Sequence, residues 1–308
     1  MSPLNTEIDS QDRRIRLRVS EPPGDPRGAI QLLHGLAEHC QRYDRFAATA
    51  AQRGFLVVTH DHRGHGPNAA ETSSDALLGH YADRDGWNKV IADACAVNSA
   101  VRDAHRDIPV ALFGHSMGSF IAQSVAMRHP ETADQLILSG SNLPNRAELR
   151  VARGLAWLVA RFRGPRRAAK LLDRMSFGSF NNAFKPNRTD FDWLSRDPSE
   201  VDRYVADPLC GFVATNQLWF DFLGGLLEIT EDGAPKRLPA ELPVLIFGGE
   251  VDPVGGEKGL SRLADSYRDA GMQHVDLKMY SDGRHEMLNE TNRDAVTDDV
   301  LNWLNSRI

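Results

Sequence analysis

The sequence predicts an α/β fold in which a mostly parallel sheet is flanked by helices and interrupted by a helical cap. Short apolar runs of strand length alternate with segments of helical periodicity as far as residue 139. The alternation then stops near Asn142 and resumes at Pro243, with no strand pattern between the two. Because strands that alternate with helices usually form a parallel sheet covered on both faces, these observations predict a doubly covered sheet.

Five strands are predicted before the interruption and two after it. Residues 14–19 alternate with period two, which is typical of a half-buried strand. The remaining strands, most of them continuous apolar runs, are predicted at residues 29–33, 55–59, 110–113, 135–139, 243–247 and 275–280. Between the second and third strands, Tyr43, Phe46 and Ala50 share one helical face, and Gly54 stands where that helix should end.

The interruption divides the chain into three parts. We expect residues 1–141 and 241–308 to form the N-terminal and C-terminal parts of one α/β core, and residues 142–240 to form a helical cap, or lid. The cap should lie over the carboxyl ends of the strands, because open α/β sheets bind their ligands at that edge.

Composition and charge exclude several classes of protein. The 308 residues are 41% hydrophobic and 25% charged, as in ordinary globular chains, and the net charge of −6 argues against nucleic acid as a partner. The cysteines, Cys40, Cys95 and Cys210, have neither metal-ligand spacing nor a disulfide framework, which favours a reducing cytoplasm and no metal. No apolar run reaches the roughly 18 residues that span a bilayer, and residues 1–18 lack the apolar core of a signal peptide. We therefore expect a cytoplasmic protein without an obligate protein partner.

The chemistry begins with the pentapeptide Gly114-His115-Ser116-Met117-Gly118. A serine hydroxyl is a weak nucleophile until a base removes its proton and the chain presents it to the substrate. A nucleophile elbow presents it at a tight turn between a strand and a helix, with glycines where side chains would collide. The predicted strand 110–113 and the helical pattern of residues 117–127 supply this context, so we predict Ser116 as the nucleophile.

A histidine base and an acid should accompany the serine. Histidine is the side chain best suited to accept and return a proton near neutral pH. His115 lies within the turn, His129 ends a helix and His274 begins a strand, whereas His285 follows the last strand in a loop that can carry a ring over the sheet edge. We predict His285 as the base.

The acid should come from the end of a strand between the serine and the histidine, where it can orient the imidazole. Asp252 lies just beyond the strand 243–247, in a sharp turn formed by glycines and a proline. Glu250 is the nearest rival, and we expect it to be a turn carboxylate that points to solvent. We predict Asp252 as the acid.

Two backbone N–H groups should complete the site as an oxyanion hole. One belongs to Met117, the residue after the nucleophile, and we expect the other to belong to Leu36, in the loop after an early strand. Glu38 and Arg42 are four residues apart and could pair to brace that loop, or form a solvated pair that contributes little.

These motifs together resemble the monoacylglycerol lipase and lysophospholipase branch of the α/β hydrolases. The resemblance rests on His34-Gly35-Leu36-Ala37-Glu38-His39, Asp61-His62-Arg63-Gly64-His65-Gly66, the serine elbow, Glu250-Val251-Asp252 and Arg284-His285-Glu286. Arg196-Asp197-Pro198 and Ala206-Asp207-Pro208-Leu209 look like the bacterial members, whereas Pro67-Asn68 departs from the small residue that is common after Gly66. The resemblance implies a serine-dependent hydrolase of monoacylglycerols, lysophospholipids or similar single-chain acyl esters, which works through an acyl-enzyme and without a cofactor.

Alternatives to this function remain open. The same triad could transfer the acyl group to an alcohol or hydrolyse amides, and the fold could serve a non-catalytic ligand-binding protein. The third possibility is disfavoured, because a binding protein does not need Ser116, Asp252 and His285 together. For a small-molecule acyl ester we expect an apolar pocket walled by part of the strongly apolar stretch 218–227, namely Leu218, Trp219, Phe222 and Leu223.

One segment of the predicted cap is strongly basic. Residues 146–174 contain nine basic residues and two acidic ones, a net charge of +7 in a chain of −6. At helical spacing, Arg150, Arg153 and Arg161 lie on one side with Trp157, while Val151, Leu155, Leu158, Val159 and Phe162 lie on another. The pattern fits peripheral contact with an anionic membrane surface, or a cap helix whose apolar face lines the acyl pocket while its arginines are solvated.

Overall fold

The computed structural model describes residues 4–71 and 77–308. Within them, eight strands form one sheet: β1 (Glu7–Ser10), β2 (Arg13–Ser20), β3 (Gly28–Leu33), β4 (Phe55–His60), β5 (Val110–His115), β6 (Gln135–Ser139), β7 (Val244–Gly249) and β8 (Val275–Tyr280). The helices are α1 (Asp44–Gln52), α2 (Gly66–Glu71), α3 (Gly86–Ala104), α4 (Met117–Arg128), α5 (Arg146–Arg163), α6 (Lys170–Phe177), α7 (Pro198–Ala206), α8 (Asn216–Ile229), α9 (Gly256–Asp269) and α10 (Arg293–Asn305).

The sheet runs in the order β1-β2-β4-β3-β5-β6-β7-β8. The pairs β1/β2 and β2/β4 are antiparallel, and every pairing from β4 to β8 is parallel. The predicted fold class is confirmed, and each predicted strand agrees with an observed one to within two residues. The pattern does not predict β1, because Ile8 is the single apolar side chain among its four residues.

Alternating side chains on the central strands build an apolar core on each face of the sheet. Leu112 of β5 belongs to the core formed with α3, α4, α8 and α9, while its neighbour Phe113 belongs to the core formed with α1 and α10. The ring of Phe113 meets that of Phe46 on α1 edge to face, with 5.6 Å between the ring centroids. Both faces are therefore covered, which is why the central strands are continuously apolar.

Four helices, α5 to α8, lie between β6 and β7, where the sequence predicts the cap. They do not share a single core of their own. Within the described residues, α8 joins the apolar core of α3 and α4, whereas Trp193, Leu194, Tyr204 and Cys210 form a small separate cluster. The ring of Trp87 on α3 packs so closely against Gly225 on α8 that a Cβ there would lie 2.1 Å from the ring. The boundaries at residues 142 and 240 therefore remain a prediction. Among the residues described, no helix is both long and apolar enough to cross a membrane.

Candidate active site

Ser116 stands at a sharp turn between β5 and α4. Its φ of 51° and ψ of −121° lie outside the regions that residues with a side chain normally occupy. A Cβ at Gly114 would lie 2.2 Å from the carbonyl oxygen of Gly118, and one at Gly118 would lie 2.1 Å from that of Leu33. Only glycine fits on either side of the serine, which is the geometry of a nucleophile elbow.

His285 and Asp252 meet beside this turn. Nδ1 of His285 lies 3.0 Å from both carboxylate oxygens of Asp252, and both side chains are buried. The two loops approach closely, since a Cβ at Gly249 would lie 2.0 Å from the carbonyl oxygen of Gly283. Glu250, the rival acid, is exposed. The structure thus brings Asp252, and not Glu250, to the imidazole.

Burial and charge give the two imidazoles of the site different protonation behaviour. Burial lowers the pKa of His285, but the nearby carboxylates of Asp252, Glu286 and Glu38 together outweigh burial, so the pKa is raised overall. The ring centroid of His115 lies 4.8 Å from that of His285. The pKa of His115 is lowered to about 3, by burial first and then by the charge of His285. His115 therefore stays neutral, whereas His285 is suited to exchange protons near neutral pH.

Ser116 and His285 line one cavity of 550 Å³, a volume typical of small-molecule sites. Gly35 closes the other side of the serine, since a Cβ on it would lie 3.2 Å from Cβ of Ser116. Within the described residues the Ser116 hydroxyl makes no hydrogen bond to His285. Such contacts often tighten only when a substrate binds, so the shared cavity is the relevant geometry.

Two free backbone donors flank the serine. In the part of the chain that the structure describes, the N–H groups of Leu36 and Met117 make no hydrogen bond. Met117 is the first residue of α4, where N–H groups have no partner within the helix and the helix dipole favours negative charge. Leu36 lines the cavity. This placement agrees with the predicted oxyanion hole, which stays a prediction.

Glu38 holds the loop that carries Leu36. Its carboxylate accepts hydrogen bonds from the backbone N–H of Gly35 at 2.5 Å, from Tyr43 Oη at 2.7 Å and from Arg42 at 3.0 Å. The Glu38 and Arg42 side chains are both less than a tenth exposed. Of the two possibilities for this pair, the structure has the brace and not the solvated pair, because burial keeps water from competing for these bonds.

Two residues that the sequence argument did not identify extend this brace. Glu286 follows His285 directly, and its carboxylate accepts hydrogen bonds from both terminal nitrogens of Arg42, one of them at 2.7 Å. Tyr204 of α7 donates its hydroxyl to the carbonyl oxygen of Ala37 at 2.9 Å. Glu286 has a sequence signal only through its place in the motif Arg284-His285-Glu286, and Tyr204 has none, because the contacts join residues more than 160 positions apart.

The predicted wall of the acyl pocket is wrong. Leu218, Trp219, Phe222 and Leu223 do not line the cavity that contains Ser116, and they are buried in the core that α8 shares with α3 and α4. The physical reason is that α8 is apolar enough to pack on several sides at once, so its faces are used by neighbouring helices. No residue of α5 lines the cavity either, which contradicts the expectation that its apolar face would do so.

Aromatic side chains from other parts of the inserted segment form the wall instead. They are Phe177, Phe191, Trp193, Tyr204 and Phe212. Most of them come from turns and irregular segments rather than from a regular helix. Helical periodicity could not have identified them, although the density of aromatic residues between positions 177 and 212 was visible in the sequence.

One group of side chains near the cavity has metal-binding chemistry. Among the described residues, His39, Asp207 and Cys210 offer ligand atoms within 4.8 Å of one another. Nε2 of His39 is already hydrogen-bonded to Asp207 at 2.9 Å, and burial raises the pKa of the Cys210 thiol, which opposes the thiolate that a metal needs. These features describe a structural contact between the loop after β3 and the segment after α7.

Comparison with known proteins extends the similarity over nearly the whole chain. Residues 24–292 match the family model described as serine aminopeptidase, S33. The chain is 29% identical over 299 residues to a monoacylglycerol lipase of Mycolicibacterium smegmatis, covering 96% of this chain and 94% of that protein. It is 28% identical over 306 residues to the monoglyceride lipase of Mus musculus, covering 98% and 90%. A thermostable carboxyl esterase from Bacillus coagulans, solved with glycerol, superposes with a TM-score of 0.88 at 26% identity over 97% of both chains.

Proposed function

We propose that this chain, a hydrolase that belongs to the serine aminopeptidase S33 family, hydrolyses monoacylglycerols and similar single-chain acyl esters such as lysophospholipids. The observation that carries the proposal is the placement of Ser116, His285 and Leu36 around one aromatic-walled cavity. The substrate class is supported by the relatives named monoacylglycerol lipase and monoglyceride lipase, which match this chain over nearly its whole length.

The geometry supports an acyl-enzyme mechanism. Because Nδ1 of His285 faces Asp252, it carries the hydrogen and leaves Nε2 as the base. Ser116 Oγ attacks the ester carbonyl carbon as its proton passes to Nε2, and the N–H groups of Leu36 and Met117 receive the oxyanion. When the tetrahedral intermediate collapses, His285 gives this proton to the leaving alcohol and the acyl group stays on Ser116. Water then attacks the acyl-enzyme by the same steps, which releases the carboxylic acid and restores the hydroxyl.

Two experiments test the nucleophile and the substrate class. Ser116→Ala should reduce ester hydrolysis by several orders of magnitude and abolish labelling by a fluorophosphonate probe, with the variant still folded by circular dichroism. Labelling that persists in Ser116→Ala would disprove the assignment. Because burial of each methylene contributes up to about 0.8 kcal/mol, kcat/KM should rise from acetyl to octanoyl p-nitrophenyl esters.

A second candidate function uses the same residues on amides. The family description names an aminopeptidase, and nothing in the triad distinguishes an ester from an amide. Aminoacyl p-nitroanilides should therefore be assayed beside monoacylglycerols and lysophospholipids. Faster turnover of the anilides, together with a flat acyl series, would favour the peptidase, and acyl transfer to added glycerol would favour the transferase.

We also propose that α5 contacts anionic membrane surfaces. Val151 and Phe162 are 76% and 79% exposed, and with Leu158 they occupy positions i, i+7 and i+11 on one face of the helix. Trp157, 54% exposed, stands beside this ridge with the exposed arginines Arg150 and Arg161. An exposed apolar ridge flanked by tryptophan and arginine is the pattern of a helix that lies at a lipid interface. The protein would then work in the cytoplasm as a peripheral enzyme.

The contacts of the α5 arginines determine which of them should be replaced to test this membrane contact. Arg153, expected to be solvated with its neighbours, instead lies over the ring of Phe220 at 4.4 Å, so its replacement would disturb packing. Arg150→Glu combined with Arg161→Glu should abolish sedimentation with vesicles that contain anionic lipid and spare hydrolysis of soluble short-chain esters. Arg106→Glu is the matched control, because Arg106 is exposed outside α5. Equal binding of wild type to anionic and zwitterionic vesicles, unaffected by salt, would reject the contact.

A further inference from the structure

Residues 192–196, here called the cap segment, run beside the loop that carries His285, here called the histidine loop (residues 284–291). The backbone N–H of His285 donates to the carbonyl oxygen of Trp193 at 3.3 Å, and that of Glu286 donates to the carbonyl oxygen of Leu194 at 2.8 Å. The Trp193 ring centroid also lies 5.0 Å from that of His285. The main chain at the imidazole is thus bonded to the inserted segment.

Two arginines extend this pairing in opposite directions. Arg284 of the histidine loop donates to the carbonyl oxygens of Asp192 and Ser195, the latter at 3.1 Å. Arg196 of the cap segment donates through Nε to Glu290 Oε2 at 2.9 Å and through its backbone N–H to Oε1 at 3.0 Å. The cap segment and the histidine loop therefore each contribute one guanidinium that donates hydrogen bonds to the other segment.

The carboxylate of Glu290 joins both halves of this arrangement. Its side chain is fully buried, and besides Arg196 it accepts the backbone N–H of Arg284 at 3.1 Å and that of Thr291 at 2.8 Å. Charge-assisted hydrogen bonds are stronger than neutral ones, and a buried charge that loses its partner is costly. Glu290 is consequently the residue whose change loosens both segments at once.

We propose that Arg284, Arg196 and Glu290 form a clamp that positions His285 for proton transfer by fixing the histidine loop to the cap segment. The inference rests on the proposed function, because it takes His285 as the base. None of the three residues contacts Ser116 or the carboxylate of Asp252, so they act through the position of the loop. A misplacement of about 1 Å in a catalytic group can cost a hundredfold in rate, which makes the register of this loop important.

A loosened clamp should leave a signature in the pH profile. Burial lowers the pKa of His285, Asp252 raises it from its position 3.0 Å away, and Glu286 and Glu38 add to the rise; the ring centroid of His115 lies 4.8 Å from that of His285. A ring that leaves Asp252 for water approaches the behaviour of free imidazole. The acid limb of kcat/KM should therefore move to lower pH when the clamp is cut.

The test variant is Glu290→Gln, which keeps the shape of the side chain and removes its charge. We expect kcat for a soluble short-chain ester to fall about tenfold or more, KM to change little, and the acid limb to shift to lower pH. Asp197→Asn is the matched control, since it removes a neighbouring ion pair, to Arg293 at 2.6 Å, that does not involve the histidine loop. Asparagine retains helix-capping ability at that position.

A second variant keeps the inference testable if Glu290→Gln folds poorly. Arg284→Lys retains the charge, but both carbonyl oxygens are reached from the terminal Nη1 of Arg284, and the lysine side chain is one bond shorter, so it should produce the same changes in smaller measure. Fluorophosphonate labelling of Ser116 should slow in parallel in both variants, and this readout does not depend on which ester is the natural substrate. The clamp is rejected if Glu290→Gln and Asp197→Asn behave alike, or if activity falls with an unchanged pH profile. Failure of the proposed function would instead appear as labelling of Ser116→Ala.

Discussion

Acid should destabilise this protein through a cluster of buried histidines near the ends of β3 and β4. His34, His60, His62 and His65 are all buried, and each ring has at least one neighbour among the other three, at centroid distances of 4.2 to 6.3 Å. Neither ring nitrogen of His60 has a hydrogen-bond partner among the residues that the structure describes. Burial, followed by the charges of Arg13 and His34, lowers the pKa of His60 to about 3.

The sign of the effect follows from the two states. The pKa of His60 is lower in the folded protein than the value near 6.5 expected in the unfolded chain. Between these values the unfolded state binds a proton that the folded state does not, so stability is complete above about pH 6.5 and falls with pH below it. At pH 5, which is about 1.5 units below the unfolded pKa, His60 alone costs about 2 kcal/mol.

The experiment compares urea unfolding of wild type and His60→Leu at about pH 7.5 and pH 5. The variant should lose about 2 kcal/mol less than wild type over this interval, whatever its packing cost, because that cost is present at both pH values. His65→Leu should behave similarly, since burial lowers the pKa of His65 to about 3 as well. His129→Leu is the control, because His129 is exposed to water before and after unfolding. Equal losses for wild type and His60→Leu would refute the reasoning.

Three further pairs of substitutions have defined outcomes. Asp252→Asn should lower kcat by about a thousandfold or more, while Glu250→Gln should leave kcat nearly unchanged, because only Asp252 orients His285. Steady-state kinetics on one ester measure both variants, and a larger loss in Glu250→Gln would show that Asp252 is not the acid. Gly225→Ala should lower the free energy of unfolding by about 1–3 kcal/mol, because the added Cβ would meet the Trp87 ring. Gly224→Ala should lower it less, because the added Cβ would meet the flexible side chain of Arg153. Equal urea midpoints for the two variants would contradict this. Leu223→Ala should lower the free energy of unfolding by about 2–5 kcal/mol without changing acyl-chain preference, because Leu223 is buried in the core. Phe191→Ala should change that preference, because Phe191 lines the cavity. The reverse result on a p-nitrophenyl ester series would show that α8 forms the pocket wall.

Local patterns were sufficient to predict seven of the eight described strands, and they also identified Ser116, Asp252 and His285 as candidates, which the structure places close together. The strands are short, apolar and bounded by turns, and the glycines around Ser116 are required by contacts of 2.1 and 2.2 Å that any side chain would violate. Asp252 and His285 could be predicted because parallel strands bring their carboxyl ends to one edge, so residues just beyond β7 and β8 have to meet. In each case a constraint within a few residues determines the position in space.

The contacts that hold the site together could not be predicted in this way. Glu38, Arg42 and Glu286 form one buried network, yet Arg42 and Glu286 are separated by 244 positions, and no periodicity relates them. The same is true of Arg196 and Glu290, which are 94 positions apart. Charged residues of this kind look like a solvated surface in a sequence, because the pattern does not show which loops will cover them.

Two helices show why the pocket prediction failed. Helical periodicity identifies which side chains share a face, but it does not identify what covers that face. In α8 the apolar face is covered by α3 and α4, so Leu218 and Leu223 became core residues rather than a pocket wall. In α5 the apolar residues are divided: Leu149 and Ala156 are buried, while Val151 and Phe162 stay exposed. Because small residues allow close helix packing and large ones do not require it, the size of an apolar residue is a poor guide to which face of a cap helix is buried.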